Sequence, residues 1–217
     1  PNVEAIAGYR PDLVILSADS TNAQAVATGL KALGIRIYLE HAPTRLQDAY
    51  TEIRRIGALT GHVAQANRVV ATMKRGILRA IAKYSVAVHR AAGGVRVFEE
   101  LDNTLYSVTS KTFIGQALRA FGAQNIADKA AGADQSGYPQ LTTEYVLAAN
   151  PQLVLLDDAQ YGESLASVSA RPGWSQMTAV QNRNVISLPA DIGSRWSPRL
   201  VQLYIVVGRA LAAASQG

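Results

Sequence analysis

Two short, unbroken apolar runs organise the chain. Leu13–Leu16 and Leu153–Leu156 are each bounded by chain breakers and suit strands buried on both faces of a parallel sheet. The first follows a short helical stretch in which Asn2 is positioned as N-cap, Glu4 falls in the first turn and Pro11 ends the helix. Apolar periodicity then predicts a helix from Asn22 to Leu33 closing at Gly34, and "IRIYLE" alternates as a strand. Strand, helix and strand in that order are built parallel with a right-handed crossover. Thr44 and Gln47 have capping-box spacing, ahead of a stripe of Leu46, Ala49, Ile53 and Ile56. From Gly61 to Ala91 there is no proline. Val63, Ala66, Val70, Met73, Ile77, Ile81 and Tyr84 lie on one face of a helix about 45 Å long, which reads as a beam joining two lobes. Beyond Gly93-Gly94 come the strand "VRVFEEL", a helix from Phe113 to Phe121 ending at Gly122, a second helix and strand around Glu144 and Leu153, the late strand "NVISLPA" and a closing helix from Pro198 to Ala214.

The two apolar runs belong to longer copies. "YRPDLVILSAD" and "NPQLVLLDDAQ" align at a constant offset of 140 residues, which also pairs Glu4 with Glu144 and Pro11 with Pro151. Two copies so far apart indicate two lobes on one plan, not a solenoid. The predicted class is α/β: two Rossmann-like lobes joined by one long rigid helix, with residues 1–60 as an N-terminal lobe, 61–92 as the inter-lobe helix and 93–217 as the C-terminal lobe. Far fewer residues precede Glu4 than separate Val95 from Glu144. The N-lobe is therefore expected to be incomplete by roughly 45 residues, and the chain to begin downstream of any signal segment.

Composition narrows the function. Apolar residues make up 48% of 217, enough for a substantial core, while no run reaches the length of about 18 needed for a membrane span. There is no cysteine, so disulfides and thiolate sites are excluded. The net charge of +5 comes from scattered basic residues without an aromatic-basic tract, which argues against nucleic acid as a partner and for an anionic surface or ligand. No Gly-x-Ser-x-Gly elbow, His-x-x-x-His pair or phosphate-binding loop is present. An enzyme reading, such as a two-lobed glycosyltransferase, would have to draw its carboxylate from Glu99, Glu100 and Asp102.

Six stretches in order, "VEAIAGYRPDLVI", "IRRIGALTGHVAQA", "FIGQALRAFGAQNIAD", "LTTEYVLAANPQLVLL", "RPGWSQMTAVQNRNVISL" and "SPRL", resemble the substrate-binding proteins of iron-siderophore, haem and cobalamin ABC importers. The resemblance implies an extracytoplasmic, monomeric carrier with no cofactor. It would bind a metal chelate between its lobes and deliver it to a membrane permease with its ATPase, touching the membrane only through that permease or an upstream lipid anchor. It further implies that Glu4 and Glu144, one per lobe, dock onto permease arginines. Each also complements a helix dipole. Loops after strand ends offer Tyr106, Ser107, Tyr138, Asp191, Arg195 and Trp196 as ligand residues. The pattern is nearest that of cobalamin-binding members, which are similar at Tyr106, Tyr138, Asp191 and Arg195 but carry tryptophan where this chain has Ala18 and Ile192. A corrinoid is the favoured ligand, with a ferric siderophore or haem next, and for haem Tyr106, Tyr138 or Tyr161 as axial ligand.

Overall fold

The structure is a computed structural model and describes residues 2–91, 93–189, 192 and 196–216. It contains two compact units, Pro1–Glu52 and Ile53–Gly217. The division falls inside helix α3 (Leu46–Leu59).

The first unit holds α1 (Val3–Gly8), β1 (Val14–Ser17), α2 (Ala23–Ala32) and β2 (Ile37–Glu40). β1 and β2 pair in parallel, Val14 opposite Ile37 and Ser17 opposite Glu40. Helix α2 turns its Ala23, Val26, Ala27 and Leu30 inward and ends before Gly34, whose φ of 76° is a conformation glycine adopts without strain. β1 departs from the expectation of a strand buried on both faces. Its positions alternate between half-buried and exposed, and Ile15 is 41% exposed. A two-stranded sheet with α2 along it covers one face only.

The second unit is built on a parallel sheet of order β4-β3-β5-β6, formed by β3 (Arg96–Glu100), β4 (Gln124–Asn125), β5 (Leu153–Leu156) and β6 (Val185–Ser187). β5 lies between β3 and β6 and is buried at every position, as its apolar run predicts. On one face Val154, Leu156 and Phe98 join Val146 of α7 (Thr143–Ala149), Val168 of α8 (Leu165–Ala170), and Trp174. The opposite face meets α5 (Phe113–Ala120) and α10 (Leu200–Ala214), where Phe121 and Tyr204 pack with ring centroids 5.9 Å apart. α10 starts two residues later than predicted, with Arg199 as its N-cap and Pro198 outside the helix.

The copies share more than their apolar runs. Asn2 and Thr142 occupy corresponding N-caps, accepting hydrogen bonds from the amides of Ala5 (2.8 Å) and Tyr145 (3.2 Å). After each helix the chain passes through a left-handed residue directly before proline: Arg10 (φ 49°) before Pro11, and Asn150 (φ 43°) before Pro151. The shared unit is cap, helix, left-handed turn, proline and strand. At α3 the capping prediction names the wrong acceptor. Asp48, not Gln47, takes the Thr44 hydroxyl (3.0 Å) and the Arg45 amide (3.1 Å), because a carboxylate outcompetes a neutral amide for the donors of a helix start.

Helix α4 (Val63–Arg90, 28 residues) buries Ala66, Val70, Met73 and Ile77 of the predicted face together with Ala80 and Val88; Ile81 and Tyr84 are half-buried, and Val63, at the first helical position, is exposed. Within the second unit it lies along α10. The close approach depends on two glycines. A Cβ at Gly76 would stand 2.6 Å from Val201, and one at Gly208 would stand 2.7–2.8 Å from ring carbons of Tyr84 and Phe121. Gly208→Ala therefore loses more to overpacking than it gains in helix propensity. It lowers stability by about 1–2 kcal/mol, readable as a reduced urea midpoint at unchanged slope.

Candidate functional site

β3, β5 and β6 run in the same direction, and the ligand candidates of the second unit lie on chain segments beyond the C-terminal ends of this sheet's strands, where open α/β sheets bind small molecules. Leu101–Lys111 follows β3 and carries Tyr106 and Ser107. The segment between β4 and α7 carries Tyr138, and Trp196 stands ahead of α10.

These loops are fixed by their own backbone. Tyr106 and Gln140 form an antiparallel bridge. The amide of Ser107 donates to the Pro139 carbonyl (2.9 Å), that of Thr109 to Gly137 (2.8 Å), and that of Leu141 to Leu105 (2.9 Å). From the other side the Asn125 side-chain amide donates to the Val108 carbonyl (2.6 Å), and the Asp128 carboxylate accepts from the amide (2.6 Å) and hydroxyl (2.7 Å) of Ser110. Beneath them Gly115 permits the Thr109 carbonyl to sit where any side chain would stand, 1.9 Å from the position of a Cβ. The loop is thus held before any ligand arrives.

Tyr106 is 41% exposed and Tyr138 48%, so two bridged loops present two aromatic rings to solvent. Ser107 is fully buried, and its hydroxyl has no partner among the described residues. Trp196 is half-buried against Phe113, with ring centroids 4.5 Å apart. Asp191 and Arg195 lie outside the described residues. Tyr161 is 83% exposed. Ile192, at a position compared with tryptophan, is buried. In their own units Glu4 and Glu144 are exposed in the first turns of α1 and α7.

Of the acids named for an enzyme, Asp102 is half-buried and accepts from the Thr104 amide (2.9 Å) and hydroxyl. Glu99 and Glu100 are both fully buried, pointing to opposite faces of β3. Glu100 receives both arms of Arg171, at 2.6 and 2.5 Å, and Arg171 also reaches Glu163 at 2.7 Å. The guanidinium lies 4.6 Å from the Trp174 ring. Burial pushes the Glu100 carboxyl up, and Arg171 pulls against that shift. Among the described residues Glu99 has no cation. Its oxygens receive no N–H or hydroxyl from the described residues, and its neighbour is the Asp157 carboxyl. Burial drives Glu99 well above the ordinary carboxylate range, and Asp157 is pushed up to about 6. Such a pair faces itself over a shared proton. Arg171, Glu163 and Asp157 escape sequence reading. The two adjacent glutamates of "VFEEL" demand neutralisation, but nothing in their spacing says that the cation stands 71 residues on.

Among the described residues no three His, Asp or Glu side chains stand close enough to hold a metal, and no helix is long and apolar enough to cross a membrane. A family model described as periplasmic binding protein matches residues 1–192. The chain belongs to the periplasmic binding protein family. It is 29% identical over 202 residues to an uncharacterized ABC transporter substrate-binding lipoprotein, YvrC, of Bacillus subtilis, covering 93% of this chain and 62% of that one. It is 30% identical over 204 residues to a cobalamin-binding protein of Halobacterium salinarum, covering 93% and 53%. The chain thus spans between half and two thirds of the length of these curated relatives. Among solved structures, the periplasmic heme-binding protein BhuT in complex with two hemes superposes with a TM-score of 0.78 over 99% of this chain and 80% of that one, at 24% identity. That likeness establishes the α/β fold with its parallel sheet.

Two outcomes follow from the buried acids. Arg171→Leu leaves the buried Glu100 without its cation and costs about 3 kcal/mol in urea unfolding, and adding Glu100→Leu recovers most of it. Asp157 has a folded pKa above its unfolded one, so its contribution is complete in acid and is lost as pH rises through about 6. The Asp157→Asn variant accordingly loses less stability than the parent between about pH 4 and pH 7, measured as the urea midpoint at each pH.

Proposed function

We propose that this chain is the ligand-capturing part of an ABC importer, that its ligand is a metal chelate, and that a cobalamin-type corrinoid is favoured over a ferric siderophore or haem. The observation that carries the reading is the pair of exposed rings, Tyr106 and Tyr138, on loops bridged to each other beyond the strand ends. Two tyrosine rings that need not reorganise offer flat apolar surface for a macrocycle. The relative named as cobalamin-binding supports the corrinoid over the other chelates.

In this reading Tyr106 and Tyr138 stack on the ligand, and Ser107 supplies a buried hydroxyl behind them. Asp191 and Arg195 exchange hydrogen bonds with its amide side chains, and Trp196 closes the rim. Glu4 and Glu144 dock onto arginines of the permease, which works with its ATPase. Residues 1–60 form part of one lobe, 61–92 the linking helix and 93–217 the other lobe. The protein works outside the cytoplasm as a monomer, held near the membrane by its permease or a lipid anchor, and binds ligand without turning it over.

The test is titration of the natural full-length protein with cyanocobalamin, haemin and a ferric hydroxamate siderophore, followed by calorimetry and tryptophan fluorescence. Cobalamin binds, and Tyr106→Ala and Tyr138→Ala each weaken it by about three- to tenfold while leaving the melting temperature unchanged, as exposed rings require. A response to the siderophore alone would reject the corrinoid and keep the carrier. Indifference to all three would reject the chelate.

A further inference from the structure

Helix α4 carries six Lys and Arg residues and no acid, more positive charge than the +5 of the entire chain. The charges are not scattered around the helix. Arg68, Arg75, Arg79, Lys83 and Arg90 follow one another at spacings of seven, four, four and seven, which places them along a single outward stripe opposite the buried face. All five are exposed, and none is ion-paired with an acid among the described residues. α10, packed alongside, contributes Arg209 and again no acid. The stripe runs about 33 Å at 1.5 Å per residue.

A solvated helix of this length ordinarily interleaves acids with bases, because like charges at i and i+4 repel. Here Arg75, Arg79 and Lys83 stand in just that relation, so the stripe is maintained against its own repulsion. Val86, 53% exposed, stands among the cations, and Leu78, 65% exposed, flanks them. Cations on a straight ridge with bare apolar groups within and beside it match an anionic plane that has an apolar interior.

We propose that the outer face of α4 rests on the anionic surface of a phospholipid bilayer, with the five cations among lipid phosphates and Leu78 and Val86 at the headgroup boundary. The complement is an extended anionic sheet. A single phosphate site would need converging donors, and a straight stripe does not converge. Nucleic acid, the other extended polyanion, would draw on aromatic side chains for single strands, which the stripe lacks, and a phosphate backbone gives the exposed Leu78 and Val86 no apolar partner.

Co-sedimentation with sucrose-loaded vesicles tests this. The protein binds vesicles of equimolar phosphatidylglycerol and phosphatidylcholine, does not bind phosphatidylcholine alone, and is released by salt. The triple variant Arg75→Gln, Arg79→Gln, Lys83→Gln loses binding by roughly a hundredfold. A charge-matched control, Lys31→Gln, Arg119→Gln, Lys129→Gln, loses less than tenfold. Both variants keep the parent circular dichroism spectrum and melt cooperatively. Equal loss in the two variants would make the attraction one of net charge and overturn the assignment, as would binding to phosphatidylcholine alone. Tighter retention on random duplex DNA than on vesicles, abolished by the triple substitution, would overturn it in favour of nucleic acid.

Discussion

β3 carries two adjacent carboxyls into the middle of a sheet, one toward each helical layer, and the second unit is organised around accommodating them. The two solutions are chemically different. Glu100 stays a partner for cations and is gripped by the guanidinium of Arg171, which ties the end of β3 to the end of α8 and, through Trp174, to the layer beneath. Among the described residues Glu99 has no cation and stands against Asp157, where burial pushes both carboxyls up toward the protonated form. The strand between these solutions and β6 is entirely apolar, so polar strain is confined to the sheet's C-terminal rim.

That rim is also where the tyrosines stand. The loop bearing Tyr106 begins one residue after Glu100, and the segment bearing Tyr161 begins at Asp157. Neutralising the carboxyls from within leaves the loops free to be shaped by backbone bonds and by Gly115. Preorganisation of this kind spares a binding protein the entropy of ordering its site.

Much of this was legible in the sequence because it depends on local periodicity. Leu153–Leu156, the closing glycines at 34 and 122, and the apolar face of α4 announce their elements directly. The constant offset between copies extended to features no residue type advertises, such as the left-handed Arg10 and Asn150 before their prolines. The exposed tyrosines were found because aromatic residues in loops after strands are few. What stayed hidden depends on partners remote in sequence. Asp48 rather than Gln47 captures the start of α3, and Ile15 is exposed because of how many strands surround it. Trp196 is committed to Phe113, and the link from Arg171 to Glu100 spans 71 residues. Pairwise identity at long separation has no periodicity to reveal it.

The glycine-lined contact between α4 and α10 joins the first complete helix of the second unit to its last. α4 alone is incompletely supported, since its cations repel along the stripe and its buried face lacks a partner. During synthesis it must wait for the whole sheet to be made before its partner exists. Closure of that pair is consequently a late, long-range event, and the unit belongs with slow folders whose decisive contacts are distant in sequence. Until then the chain carries an uncovered apolar helix face, a natural target for the chaperones that escort unfinished proteins.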